Sequence, residues 1–352
     1  MRFIGSKLRL LPSIREFWAR EIGAAPRRVG DLFCGTAVVS GLFKTLGHTV
    51  IANDNLKLGY VLATAVLQVN TQPSFDGLIA AKRIGAPPRT GLFLEPYEQV
   101  LEYLNHLPGE RGFFFTEYSP GGTVDQPFQR SYFTDDNAKK IDVIRRVLRT
   151  WLHEGLLTDT EHYLLLADLI RAASRVANVA GTYGSFLRRW DPRALRPLLM
   201  EPSRVLPGAR KHEVHNGDAL DLAKEQSYDV LYLDPPYTWR HYGAYYHILE
   251  TLAQDDEPLV TGRTGLRPWE ESRSRFCDKR DAARALRELV ETARTHILLL
   301  SYNSEGLIDH EHILSILASR GSPSYVEFRH RRYRSNNGGA RRNRVVERLY
   351  CV

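Results

Sequence analysis

The residues with the plainest chemical potential are four in a row, Asp234-Pro235-Pro236-Tyr237. An exocyclic amine on an aromatic base is a poor nucleophile because its lone pair is delocalised into the ring. A catalyst that pulls on both N–H bonds localises that pair, and the tetrapeptide offers two acceptors for the purpose. One is the Asp234 carboxylate. The other is the Pro235 carbonyl, left free because Pro236 carries no N–H and fixes its own φ. Tyr237 supplies an aromatic face on which a gripped base can stack. The same residues also describe a Pro-Pro turn with a surface Asp and a half-buried Tyr, so companions elsewhere must decide.

The apolar run Val230-Leu231-Tyr232-Leu233 just before them reads as a buried parallel strand, since a strand covered on both faces is nearly continuously hydrophobic. Open α/β sheets carry their chemistry beyond the carboxyl ends of such strands, where the tetrapeptide falls. An earlier β-α-β pattern offers a second loop of this kind. Val29 to Phe33 reads as a strand, Cys34-Gly35-Thr36-Ala37 as a tight loop, and Val38 to Leu46 as a helix stopped by Gly47. Thr49 to Ala52 is the next strand, running into Asn53-Asp54. Asp54 stands about 20 residues past the loop, where a carboxylate can accept from both hydroxyls of a ribose. A pyrophosphate loop wants Gly-x-Gly-x-x-Gly, but here no glycine follows Gly35 until Gly41. S-adenosylmethionine, which has no pyrophosphate, therefore suits the loop better than a dinucleotide. An α/β unit without a cofactor is the alternative.

Other stretches complete the picture. Gly5-Ser6-Lys7, ahead of a helix through Trp18, can hold an anionic group with backbone N–H donors and an ammonium, or be an ordinary turn. Glu213 to Ala219 reads as a short strand ending in Asp218, which can accept from a cofactor amine. Its distance of sixteen residues from Asp234 places it on the neighbouring part of the sheet edge. Between about Tyr60 and Gly208 the pattern changes. Phe113 to Gly122 reads as an aromatic strand into a glycine turn, Tyr132 to Asn137 as the cap of a helix, and Glu161 to Val179 as a second helix. Gly181 to Trp190 is glycine-rich, aromatic and basic, which suits either a nucleic-acid contact through Arg188 and Arg189 or a solvated loop with a Trp beneath it. The polar stretch up to about Lys279, with Arg263, Arg267, Arg273, Arg275 and Phe276, reads as a lid or as solvated surface. His296 to Asn303 is another buried strand ending polar. The tail from Phe328 to Tyr350 reads as a hairpin whose basic connection, with Arg331, Arg332, Arg341 and Arg342, can track phosphates or be merely solvated.

At 352 residues the chain is long enough for one α/β domain with a substantial insertion, or for two domains. Its 43% hydrophobic and 25% charged content is that of a globular protein with a packed core. A net charge of +7 tilts towards a polyanionic partner. Three scattered cysteines, Cys34, Cys277 and Cys351, argue against a disulfide framework or a structural zinc, and for a reducing compartment. Met1 to Pro12 has no uninterrupted apolar core, and no stretch approaches the ~20 residues of a membrane span, so neither export nor a membrane is expected.

In order and in content these stretches resemble the alpha group of N6-adenine-specific DNA methyltransferases, the class that includes Dam-type enzymes. Gly5-Ser6-Lys7 with Leu10-Leu11-Pro12 looks like the family's N-terminal cofactor motif, and Asp31-Leu32-Phe33-Cys34-Gly35-Thr36 like its glycine loop. Asp54 looks like its ribose acid, Asp218 like its adenine-edge acid, and Asp234 to Tyr237 matches its catalytic motif letter for letter. Tyr132-Phe133 with Asn137 to Asp142 resembles a stretch often found in its insertion. One departure is Ala37, where the family usually has a second glycine. An Asp at the first catalytic position resembles the adenine type, whereas N4-cytosine enzymes usually have Ser.

The resemblance implies a Rossmann-like S-adenosylmethionine-dependent sheet, residues 1–60 and 209–352, interrupted by a mainly helical target-recognition region, residues 61–208. It implies cofactor contacts at Gly5, Ser6, Lys7, Asp31, Phe33, Gly35, Thr36, Asp54, Asp218 and Ala219, and catalysis by Asp234, Pro235, Pro236 and Tyr237 on an adenine flipped out of double-stranded DNA. Neither a metal nor a covalent intermediate is required. It also implies a cytoplasmic enzyme, nucleoid-associated when on DNA and a monomer or weak dimer. A role as the modification enzyme of a restriction-modification system, partnered by a cognate endonuclease, fits the same resemblance. Rival readings are an RNA adenine or a protein amide as target, and a non-catalytic DNA-binding protein with a relict methyltransferase domain.

Overall fold

A computed structural model describes residues 3–84, 95–331 and 344–352. The chain divides into two compact units, one of Ile4–Gln68, Gly208–Gly243 and Trp269–Val352, the other of Met1–Phe3, Val69–Pro207 and Ala244–Pro268. The segment 244–268 thus groups with the helical unit, whereas an uninterrupted insertion of 61–208 would have left it with the sheet.

The first unit is built on a seven-stranded sheet: β1 (Arg28–Asp31), β2 (Thr49–Asp54), β3 (Glu213–Asn216), β4 (Ser227–Leu233), β5 (Arg294–Asn303), β6 (Ser324–Arg331) and β7 (Arg344–Cys351). Their order is β3-β2-β1-β4-β5-β7-β6. The first five are parallel, and β7 runs antiparallel to both β5 and β6. Chain order runs outward from β1 through β2 to β3 on one side and from β4 to β5 on the other, with β7 inserted before β6, so the topological switch falls between β1 and β4. Asp31 pairs with Tyr232 there, which puts the loops after β1 and β4 side by side.

Both faces of the sheet are covered, as the continuous apolar strands require. On one face Val29, Val50, Ala52, Val230 and Tyr232 pack with Ile14, Phe17, Trp18 and Phe43 of the helices Leu11–Glu21 and Val38–Thr45. On the other, Ile51, Leu231, Leu233, Leu298 and Leu300 pack with the helices Ala219–Glu225, Ala282–Thr292 and His310–Leu317. The period of two along β4 sends Val230 and Tyr232 one way and Leu231 and Leu233 the other. Each fully buried Leu contributes roughly 1.5–3 kcal/mol, so this core holds the strand ends rigidly. The architecture is the Rossmann-like α/β sheet expected for a methyltransferase.

The helical unit carries Pro96–His106, Asp135–His153, Asp159–Val176 and His247–Gln254 as its longer helices. Thr134 caps the second by accepting from the Asn137 N–H, and Thr158 with Glu161 forms a capping box on the third. One expectation fails here: Phe113–Tyr118 is a helix, not a strand. Its aromatic run shows no helical or strand period. The Asp142 carboxylate decides, by accepting from the N–H groups of Gly112, Phe114 and Phe115 at 2.8–3.1 Å and so capping the start of the helix. Among the described residues no helix is long and apolar enough to cross a membrane.

Candidate active site

Asp234 is the first residue past β4, and its Oδ1 lies 2.8 Å from the Lys7 ammonium. Lys7, only 4% exposed, starts the short turn Lys7–Leu10 and also donates to Glu347 Oε1 at 2.8 Å. Glu347, on β7, is 1% exposed and accepts further from Ser301 Oγ at 2.6 Å and Asn303 Nδ2 at 3.0 Å. One ammonium thus lies between a buried carboxylate, Glu347, and a half-buried one, Asp234. Burial favours the neutral amine of Lys7, but the two carboxylates outweigh it and hold the group well above its ordinary pKa. For Asp234, burial wins over Lys7 and pushes the carboxyl up to about 7. Its other oxygen makes no hydrogen bond among the described residues, which leaves it able to accept.

The rest of the tetrapeptide is held in place. The Tyr237 carbonyl accepts from Leu307 N–H at 2.9 Å, its ring meets Tyr302 edge-on at 6.1 Å, and Lys7 Nζ stands 5.6 Å from its centroid. Pro235 is buried and Pro236 partly so. The sequence reading let the Lys7 ammonium hold an external anion; in the structure both its carboxylate partners are internal.

The loop after β1 is tied to β2. Cys34 N–H donates to the Asn53 carbonyl at 2.9 Å, and Gly35 N–H donates to Asp54 Oδ2 at 2.8 Å. Asp54 Oδ1 accepts from Leu56 N–H at 2.9 Å. Gly59 makes room for this carboxylate, because a Cβ there would stand 2.4 Å from the Asp54 side chain. Asn53 links three strand ends by donating to the carbonyls of Leu32 and Gly217 and accepting from Gly217 N–H. Gly35 and Ala37 both have positive φ, +51° and +57°. Ala37 therefore occupies the left-handed backbone conformation that a glycine takes at least cost, which accounts for the family's preference at this position.

Asp31, at the end of β1, is 1% exposed, and its Oδ2 accepts from Ser40 Oγ at 2.6 Å. Its Oδ1 is buried with no hydrogen-bond partner among the described residues. Burial pushes its pKa to about 7, with the charges of Asp234 and Asp54 adding in the same direction. Phe33 is half-buried with its ring edge-on to Phe276 at 5.2 Å, and Thr36 is partly exposed in the same loop.

Asp218 is exposed and caps the helix Ala219–Glu225 by accepting from Leu220 N–H at 2.7 Å. It is not on the neighbouring part of the sheet edge from Asp234, since β2 and β1 lie between β3 and β4. Nearness in sequence misled, because the chain crosses the whole switch point between these two strands. Ala219 is buried in the core under the sheet.

In the helical unit, Arg188 and Arg189 are exposed on a turn whose ends Asn178 clamps. That residue exchanges backbone and side-chain hydrogen bonds with Leu187 and accepts from Asp191 N–H at 3.0 Å. Tyr118 and Tyr183, in the two aromatic and glycine-rich stretches, are buried. Arg267 is 7% exposed and bonded to Thr251, Gln254 and Asp256, and Arg275 pairs with Asp281 and Glu288, so neither is a free cation for a ligand. Arg331 ends β6; Arg332, Arg341 and Arg342 lie outside the described residues.

The sequence reading missed Glu347, Ser301, Asn303, Ser40 and Gly59. A signal for Glu347 existed: it shares the strand face of Val345 and Leu349, both buried, so the period of two sets a carboxylate among apolar positions.

Comparisons with known proteins identify the family. The family model described as D12 class N6 adenine-specific DNA methyltransferase matches residues 3–316. The type II methyltransferase M.FokI of Planomicrobium okeanokoites is 38% identical over 343 residues, 96% of this chain and 50% of the relative. Modification methylase StsI of Streptococcus sanguinis is 33% identical over all of this chain and 52% of its own length. The type II methyltransferase M.NlaIII of Neisseria lactamica is 34% identical over all of this chain and 99% of its own length. The chain spans about half the length of the first two and nearly all of the third. It is a member of the D12 class N6 adenine-specific DNA methyltransferase family.

Proposed function

We propose that the chain transfers a methyl group from S-adenosylmethionine to N6 of an adenine flipped out of double-stranded DNA, at a specific site. The observation that carries this reading is Asp234 itself: a half-buried carboxylate with one oxygen held by Lys7 and the other open, at the sheet's switch point and beside the Pro235 carbonyl.

The residues after β1 suit the cofactor. Asp31 keeps a buried carboxylate oxygen without a donor, which an ammonium such as that of the cofactor's amino-acid end would satisfy. Asp54 and Gly35 stand on the same loop pair. When bound, S-adenosylmethionine supplies a methyl group on a sulfonium.

The chain's own residues prepare the nucleophile. Asp234 Oδ2 and the Pro235 carbonyl each accept one N–H of the N6 amine, which draws its lone pair out of the ring and towards the incoming carbon. Tyr237 stacks on the base. As N6 becomes positively charged, Asp234 Oδ2 takes its proton, a role suited to a carboxyl whose pKa lies near 7. The stacked base itself displaces water that would compete for the two acceptors.

Within this reading Arg188 and Arg189 contact bases from the helical unit, and the basic connection after β6 grips phosphate. The names of the relatives support a further role as the modification partner of an endonuclease acting on the same site. The test is transfer of labelled methyl from S-adenosylmethionine to unmethylated plasmid DNA, followed by digestion to nucleosides, with RNA and total protein as parallel acceptors. N6-methyldeoxyadenosine as the product supports the reading, and label confined to RNA or protein refutes it. For the two arginines, affinity against salt discriminates. A base contact should cost ~1–3 kcal/mol on cognate DNA alone, and a phosphate contact should lower the salt slope on all sequences.

A further inference from the structure

We propose, on the functional reading above, that Glu347 is a positioning residue of the methyl-transfer site: by anchoring the Lys7 ammonium against Asp234 Oδ1, it determines which Asp234 oxygen is presented to the amine. Glu347 reaches the site from the penultimate stretch of the chain, 340 residues from Lys7. Its carboxylate is saturated by Lys7, Ser301 and Asn303, two of them fixed on β5, so it cannot turn away. An ammonium that donates to two carboxylates, one in the loop after β4 and one on β7, has its rotation fixed. Released from Glu347, the buried Lys7 would be free to swing across Asp234 and engage both of its oxygens. Glu347 would then act on the base only through Lys7 and Asp234, and it touches no reacting atom.

The arrangement also sets charge. The groups facing Asp234 are Lys7 on the N-terminal turn, Glu347 on β7, Tyr232 on β4, Tyr237 in its own loop and Asp31 at the end of β1. Lys7 favours the ionised form of Asp234, whereas Glu347 and Asp31 oppose it. A neutral residue at 347 should therefore make Asp234 more acidic as well as loosening Lys7.

Two variants of the full chain separate these effects. Glu347→Gln keeps the size of the side chain but removes the charge. Its single-turnover rate on unmethylated plasmid DNA should fall roughly ten- to a hundredfold at the plateau, with KM for DNA unchanged. Its acid limb should move down by about one pH unit. Glu347→Asp keeps the charge but draws it back from Lys7, so its plateau should fall while its limb stays with the wild type. The 13C-carboxyl titration of Asp234, assigned through Asp234→Asn and recorded without DNA or cofactor, should move down in the Gln variant and stay in the Asp variant. A folded Gln variant with an unshifted limb and an unshifted titration overturns the proposal, as does an undiminished plateau. If the Gln variant does not fold, the Asp variant decides, and a limb displaced by about a unit or a wild-type plateau there overturns it. Failure of the wild type to methylate DNA would refute the functional reading instead, while the carboxyl titration would still test the coupling among the three groups.

Discussion

Both units of the molecule bury carboxylates, and they do so in opposite ways. In the helical unit, Asp142 receives three backbone N–H groups, and Asp168 is hydrogen-bonded by the hydroxyls of Tyr97 and Ser203 with Arg171 beside it. Burial pushes both to about 6, and their donors restrain the rise. At the sheet edge, Asp31 and Asp234 reach about 7 and each keeps an oxygen without a donor among the described residues. The open oxygen of Asp31 is buried, a cost that a bound donor would remove, while that of half-buried Asp234 stays within reach of a ligand. In the helical unit saturation serves the fold; at the sheet edge saturated Glu347 fixes Lys7, and the incomplete Asp31 and Asp234 are the carboxylates proposed to meet ligand.

The strongest challenge to that distinction is Asp234→Ala. It should lower methyl transfer on the order of 10³-fold while leaving the fold intact, and undiminished activity in a folded variant would remove the paired-acceptor mechanism. The sign of the pH dependence follows from the raised pKa. The accepting carboxylate is present above about 7, so the rate at saturating cofactor should fall as pH falls through that value.

Asp142→Ala probes the saturated class. It should cost about 3 kcal/mol of stability, read by urea unfolding, because it strips three N–H donors from the start of the helix Phe113–Tyr118 and leaves Arg145 short of a counter-charge. Methyl transfer per folded molecule should change far less than in Asp234→Ala. The reverse pattern would mean that an open oxygen does not single out the carboxylates that meet ligand.

Asp54 is intermediate, since it accepts from Gly35 and Leu56 N–H on the loop side and is also the acid proposed for a ribose. Asp54→Ala should weaken cofactor binding by about 1.5–3 kcal/mol in a calorimetric titration, with a smaller effect on DNA affinity. An unchanged dissociation constant would confine Asp54 to bracing the loop.

The smallest effect is expected at Ala37→Gly. Relief of the left-handed backbone is worth ~1–2 kcal/mol. Against it stand ~0.8 kcal/mol for the lost buried methyl and ~0.4–1 kcal/mol of extra entropy in the unfolded chain. Stability should stay within about 0.5 kcal/mol of the parent by thermal or urea unfolding, and cofactor affinity should be no weaker.

By itself the sequence determined the strands that deliver the loops, the tetrapeptide and the glycine turn, because each is written in contiguous residues whose apolar run, proline or glycine acts locally. Asp31, Asp54 and Asp234 were legible for that reason, as were the capped helix after Thr134 and the tail hairpin. Only the tertiary structure decided what surrounds them. Strand order comes from packing both faces of the sheet, so β1 lies beside β4 and Asp218 is left two strands further out. A distant carboxylate, Asp142, turns the aromatic run at Phe113 into a helix. The period of two marks Glu347 for an apolar face, but its partner Lys7 is chosen only when β7 pairs with β5. The partners of a buried charge are chosen by proximity in space, and no local pattern along the chain records a contact made 340 residues away.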